Sequence, residues 1–141
     1  MAPLLTPTDT HHEDSDSHSA MSHDRPSGGQ LGSAVSNAVV SIFADYLGRG
    51  PTRARTSFGR DLVTVVLEET LTKAERRLAA EGEVEQVIAT RHTFQRTMRR
   101  DLVAAVEGLT GRTVSAFLSD QTVDPDVSVE VFVLEPETAA R

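Results

Sequence analysis

The chain has 141 residues, a formal net charge of −7 and no cysteine. This length suits a single domain, and the lack of cysteine excludes a disulfide framework, a thiolate metal site and a cysteine nucleophile. The negative net charge argues against nucleic acid as a partner.

No apolar run approaches the ~20 residues that a membrane-spanning helix needs, so we expect that the chain does not cross a membrane. Its first residues lack the basic segment and sustained apolar stretch of a secretory signal. We therefore expect a cytoplasmic protein.

Residues 1–30 are rich in Ser, Asp, His and Pro. They hold too little apolar surface to offset the entropy of ordering, and we predict a disordered tail. His11, His12 and His18 lie there beside acidic residues, but a metal site needs ligands that neighbouring groups hold in place. We predict no metal site and no cofactor, and at most a weak, adventitious role for these histidines. Residues 136–141 are predicted to form a short C-terminal tail.

The single domain is predicted over residues 31–135, and it begins with a helix. Apolar residues recur at helical spacing from Leu31 to Leu47, and Gly48 followed by Pro51 predicts the helix end. Two strands are predicted next, around a turn at Gly59-Arg60.

A second helix is predicted to start at Thr72, because Thr72 and Glu75 have the spacing of a capping box. It is predicted to break near Gly82, where a longer helix follows and ends at Gly111. The last two strands flank Asp124-Pro125-Asp126, which is typical of a turn. Strands in adjacent pairs predict an α+β fold with two layers, in the order α-ββ-αα-ββ. In it, two β-hairpins form a four-stranded, mainly antiparallel sheet with helices packed on one face.

Arg91 lies in the apolar stripe of the long helix, and a buried guanidinium must be paired. An internal ion pair is the favoured interpretation, with a carboxylate partner such as Asp61, Glu75 or Asp101. The alternative is a module that binds a small anion such as bicarbonate or phosphate. The candidate anion or ion-pair residues are Arg49, Arg53 and Arg91.

A second face of the same helix carries a concentrated basic surface, formed by His92, Arg96, Arg99 and Arg100. Such a surface is often merely solvated, but it is also a candidate docking surface for an acidic protein partner or for anionic lipid. The sequence contains no Gly-x-Ser-x-Gly, His-Glu-x-x-His or Gly-x-Gly-x-x-Gly motif. His92, the only histidine of the predicted domain, is expected to be exposed and to lack an orienting partner. We therefore predict that the chain is not an enzyme.

Several segments together resemble the bacterial MpsC family, named for a component of a Na+-translocating, membrane-potential-generating system. They are Ser36 to Val40, Tyr46 to Pro51, Leu71-Thr72 with Glu75, Leu109 to Gly111, Asp120, and Val131 to Leu134. The resemblance implies a cytosolic accessory protein that works with membrane subunits coupling cation movement to membrane potential and inorganic carbon uptake. It supplies no catalytic residue. The long N-terminal tail and Glu68-Glu69 depart from the family pattern. Together with the missing catalytic motifs, the resemblance favours an accessory or regulatory domain that forms a homodimer and binds another protein.

Overall fold

The structure, a computed structural model, describes residues 28–137. The predicted tail with His11, His12 and His18 lies outside these residues. The elements in chain order are α1 (Gly28–Leu47), β1 (Arg53–Gly59), β2 (Leu62–Glu68), α2 (Lys73–Ala80), α3 (Val84–Thr110), β3 (Val114–Thr122) and β4 (Val127–Leu134).

The four strands form one sheet in the order β1-β2-β4-β3, and every neighbouring pair is antiparallel. The two strands of each hairpin pair with one another, and β2 pairs with β4 at the centre of the sheet. The prediction of an α+β fold in the order α-ββ-αα-ββ is confirmed. No helix within residues 28–137 is both long enough and apolar enough to cross a bilayer.

Some element boundaries differ from those predicted. α1 begins at Gly28 rather than Leu31, because the apolar stripe marks only the residues that pack and a helix can extend beyond them. The first hairpin turns at Arg60-Asp61 rather than Gly59-Arg60, because Gly59 still pairs with Leu62 in the ladder.

The core lies between the sheet and the helices α1 and α3. Each helix contributes buried side chains spaced four residues apart, so that they lie on one face. The cluster consists of Val35, Val39 and Phe43 of α1, Met98, Leu102 and Val106 of α3, Val63, Val65 and Leu67 of β2, and Phe132 and Leu134 of β4.

The alternation in β4 is inverted relative to an ordinary half-exposed strand. Ser128 and Glu130 point toward the helices and are fully buried, whereas the intervening valines point to the side without a helix. In most antiparallel sheets the solvated face carries the polar residues. We call this side the helix-free face; by strand register it comprises Arg53, Arg55, Ser57, Leu62, Thr64, Val66, Glu68, Ala116, Leu118, Asp120, Thr122, Val127, Val129, Val131 and Val133.

Candidate functional site

Arg91 forms a buried, bidentate ion pair with Glu75. Its Nε lies 2.7 Å from Glu75 Oε2, and its Nη2 lies 2.7 Å from Glu75 Oε1. The same Nη2 also donates to the Thr70 carbonyl. Only 1% of Arg91 is exposed. Of the three carboxylates considered from the sequence, Glu75 is thus the one in contact.

Glu75 is also part of the capping box that begins α2. Its Oε1 accepts a hydrogen bond from the Thr72 amide at 2.8 Å, and its own amide donates to the Thr72 hydroxyl at 3.1 Å. Burial opposes ionisation of Glu75, but the hydrogen bonds from Arg91 and Thr72 hold its pKa below the ordinary value. One carboxylate therefore stabilises both a helix start and a buried cation.

The segment before α2 is fixed by a second carboxylate, Asp126. Its Oδ1 accepts from the Thr70 amide and its Oδ2 from the Leu71 amide, both at 3.1 Å. The Leu71 carbonyl accepts from Arg49 Nη1 at 2.9 Å. Arg91 and Arg49 therefore bind adjacent carbonyls of one segment and hold it between α1, α3 and the second hairpin.

The three candidate anion residues do not face a common site. Arg49 and Arg91 converge on the backbone before α2, whereas Arg53 lies exposed on β1 with its Nη1 3.7 Å from Glu68 Oε2. Each guanidinium has a protein partner, and the donors of Arg91 are directed at Glu75 and Thr70.

The predicted docking residues do come together. An open cleft of about 260 Å³ between α3 and β3 is lined by His92, Gln95, Arg96, Arg99, Phe117 and Ser119. Arg100 lies in an adjoining groove that shares Arg96 and Arg99 with the cleft. We call these two depressions together the α3–β3 cleft.

His92 has a partner that the sequence did not reveal. Its Nε2 lies 3.4 Å from Asp120 Oδ1, since β3 runs alongside α3 and places Asp120 at the cleft rim. The Gln121 amide and then His92 lower the pKa of Asp120 below its ordinary value. The expectation of an exposed side chain holds, because 45% of the His92 side chain is accessible. The expectation that it lacks a partner is wrong.

Sequence reasoning missed a buried polar cluster under α3. Glu130 is fully buried, its Oε1 accepts from Ser128 Oγ at 3.3 Å, and its Oε2 has no hydrogen-bond partner within residues 28–137. Burial raises the pKa of Glu130 to about 7, and the nearby Ser119 and Ser128 hydroxyls and the Arg91 charge offset only part of this effect. Beside it, Gln95 Nε2 lies 3.5 Å from Gln121 Oε1. Parity in β4 could not have revealed it, because Glu130 shares one side of the strand with Phe132 and Leu134 while the other side carries only valines, so both sides look apolar.

Among the described residues there is no group of three or more His, Asp or Glu side chains placed to hold a metal ion. The polar groups instead form an internal network around Arg91, a cationic cleft and a sealed carboxyl group.

These features describe a small two-layer α+β protein with a cationic cleft at one edge of its sheet. The chain belongs to the MpsC family, described as the Na+-translocating membrane potential-generating system (MpsC), whose family model matches residues 27–136. The resemblance noted from the sequence is thus confirmed. The chain is also 31% identical over 118 residues to the uncharacterized protein YbcI of Bacillus subtilis (strain 168), a match that covers 78% of this chain and 90% of that protein. No solved structure matches the chain.

Proposed function

We propose that this chain is a non-enzymatic, cytoplasmic accessory subunit of a Na+-translocating, membrane-potential-generating system. In this role it acts as a homodimer and binds an acidic segment of a membrane subunit in the α3–β3 cleft. Membership of the MpsC family supports the assignment to this system. The observation that carries the binding role is the clustering of His92, Arg96 and Arg99 around one open cleft.

The charge of the cleft is available to a partner. Within residues 28–137 the Arg96 side chain forms one hydrogen bond, to the Thr93 hydroxyl at 3.2 Å. In the same part of the chain Arg99 and Arg100 have no carboxylate partner. Guanidinium groups bind carboxylates in bidentate geometry. Because the chain as a whole is acidic, a local cationic cluster steers an acidic partner to this one place.

The cleft also offers an apolar wall. Phe117 lines it and packs against the buried Phe132, with ring centroids 5.0 Å apart. A segment that combines Asp or Glu side chains with one apolar residue matches both features. A peptide of that composition is therefore the proposed ligand.

The absence of catalysis is part of the proposal and is supported by the state of the polar groups. Glu75 and Arg91 satisfy one another, and Glu130 is sealed from solvent, so none of the three can reach a substrate. His92 and Asp120 are exposed at a rim, where nothing excludes water from a reacting group.

Affinity purification of the tagged full chain from cells that contain the membrane subunits tests the proposal. We expect a membrane subunit to co-purify with the wild type and to be lost with Arg96→Glu/Arg99→Glu. The matched control is Arg60→Glu/Arg77→Glu, which makes the same charge change at exposed positions outside the cleft. Binding should weaken as salt rises, since exposed charges are screened.

Two results would contradict the proposal. One is equal recovery of the membrane subunit by the cleft variant and the wild type. The other is thermal stabilisation of the wild type, but not of the cleft variant, by phosphate or bicarbonate alone, which would make the cleft a small-anion site.

A further inference from the structure

We propose that the helix-free face is the homodimer interface, and that two copies pack on it face to face about a two-fold axis parallel to the strands. This inference rests on the proposed homodimer and is independent of the membrane subunit.

The first observation is the apolar character of this face. Leu118 is 57% exposed and Leu62 39% exposed, and three valines of β4 lie between them across the sheet. The alternation of β4 places Ser128 and Glu130 in the interior and its valines, which are half-buried, on the helix-free face. A contiguous exposed apolar patch on a small protein marks an interaction surface.

The second observation is the placement of charge along one row of the sheet. The strand register aligns Arg55 with Val66, Val66 with Val129, and Val129 with Asp120. A cation therefore stands at one edge, an anion at the other, and two valines stand between them. The Arg55 side chain has no hydrogen bond or ion pair within residues 28–137. The Asp120 side chain is 82% exposed, and although its Oδ1 contacts His92 and the Gln121 amide, its Oδ2 has no partner within the same residues.

This charge pattern selects one symmetry. An axis parallel to the strands places β1 of one copy over β3 of the other, so Arg55 meets Asp120 of the second copy twice, as an isologous interface requires. Val66 of each copy then packs against Val129 of the other copy. An axis perpendicular to the strands would place β1 over β1 and bring Arg53 and Arg55 against the same arginines of the second copy.

Sheet geometry agrees with this arrangement. Packed sheets lie about 10 Å apart, and aligned packing keeps the strand directions within about 30°. Four strands spaced about 4.8 Å apart and about seven residues long make a face of roughly 20 by 23 Å. Two such faces bury about 920 Å² in total, below the roughly 1,200–2,000 Å² of stable specific interfaces and within the range of weak, transient ones. We therefore expect a weak dimer that dissociates in the micromolar range.

Sedimentation equilibrium of the full chain over micromolar to sub-millimolar concentrations provides the test. We expect the wild type to dimerise and Leu118→Asp to remain monomeric. Arg55→Asp and Asp120→Arg should each weaken the dimer about tenfold or more, because each brings like charges together. The double variant Arg55→Asp/Asp120→Arg should regain most of the lost affinity, and circular dichroism should show that every variant is folded.

The control Arg77→Asp changes charge on α2, away from the face, and should dimerise as the wild type does. A monomeric wild type overturns the inference, as do single reversals that leave the dimer unchanged or a double variant without rescue. A monomer whose membrane subunit is lost with Leu118→Asp would instead assign the face to that subunit. A dimeric wild type that recovers no membrane subunit would refute the proposed docking role and leave the dimer inference intact.

Discussion

Glu130→Gln should abolish a pH-dependent loss of stability that the buried carboxyl group imposes on the wild type. Glu130 lies under α3 with no access to solvent, and one of its oxygens has no partner within residues 28–137. Burial raises its pKa from the ordinary 4.5 to about 7. Glutamine has nearly the same shape and stays neutral, so the substitution keeps the packing and removes the titration.

Proton binding at Glu130 determines whether stability rises or falls with pH. Between these two pKa values the folded chain holds a proton at Glu130 that the unfolded chain has released, so the free energy of unfolding falls as pH rises. The contribution is fully present below pH 4.5 and is lost as pH passes through about 7. With about 1.36 kcal/mol for each pKa unit, the wild type should lose about 3 kcal/mol in all, of which about 2 kcal/mol is lost above pH 5.5, and Glu130→Gln should retain this stability.

Urea unfolding of both proteins from pH 5.5 to 8.5 measures this difference. Subtracting the two curves cancels every shared titration, and the lowered pKa values of Glu75 and Asp120 fall below this window. Glu85→Gln, at an exposed position of α3, serves as the control and should follow the wild type. A difference between wild type and Glu130→Gln that stays constant with pH would refute the reasoning.

Three further predictions concern local structure, all measured by urea unfolding at neutral pH. Arg91→Met leaves the Glu75 carboxylate buried without its partner and should lower the free energy of unfolding by about 3–5 kcal/mol. The double variant Arg91→Met/Glu75→Gln should recover most of this stability, and equal losses in the single and double variants would contradict the ion-pair argument. Thr72→Ala removes the acceptor of the capping box and should cost about 1 kcal/mol, whereas Thr72→Ser should cost little. Gly111 has a φ of 70°, so Gly111→Ala should destabilise the protein by about 1 kcal/mol. Gly108 lies within α3 with open space around its Cα, so Gly108→Ala should stabilise the protein by about 0.5–1 kcal/mol. Stability changes of the same sign for both substitutions would be inconsistent with the backbone argument.

Local signals predicted the helices and their ends. The capping box joins Thr72 and Glu75, three residues apart, and Gly111 ends α3 through its own backbone angle. The basic residues of α3 share one helix face whatever lies beside it, so their proximity was predictable. Their cleft was not, because its other wall is β3.

Contacts between distant segments were beyond sequence reasoning. The choice of Glu75 over Asp61 and Asp101 as the partner of Arg91 depends on how α2 docks against α3. Glu130 was missed for a related reason: alternation shows that β4 has two faces, but only the position of the helices decides which face is buried.

The sharing of Glu75 between the start of α2 and Arg91 has a dynamic consequence. A helix of eight residues is far too short to persist alone in water, and such a segment would ordinarily be the first to open. Here its opening would also strip Arg91 of its counter-charge inside the protein, which is costly. The amide protons of α2 should therefore exchange with solvent together with those of α3, in one cooperative unit, rather than through independent fraying.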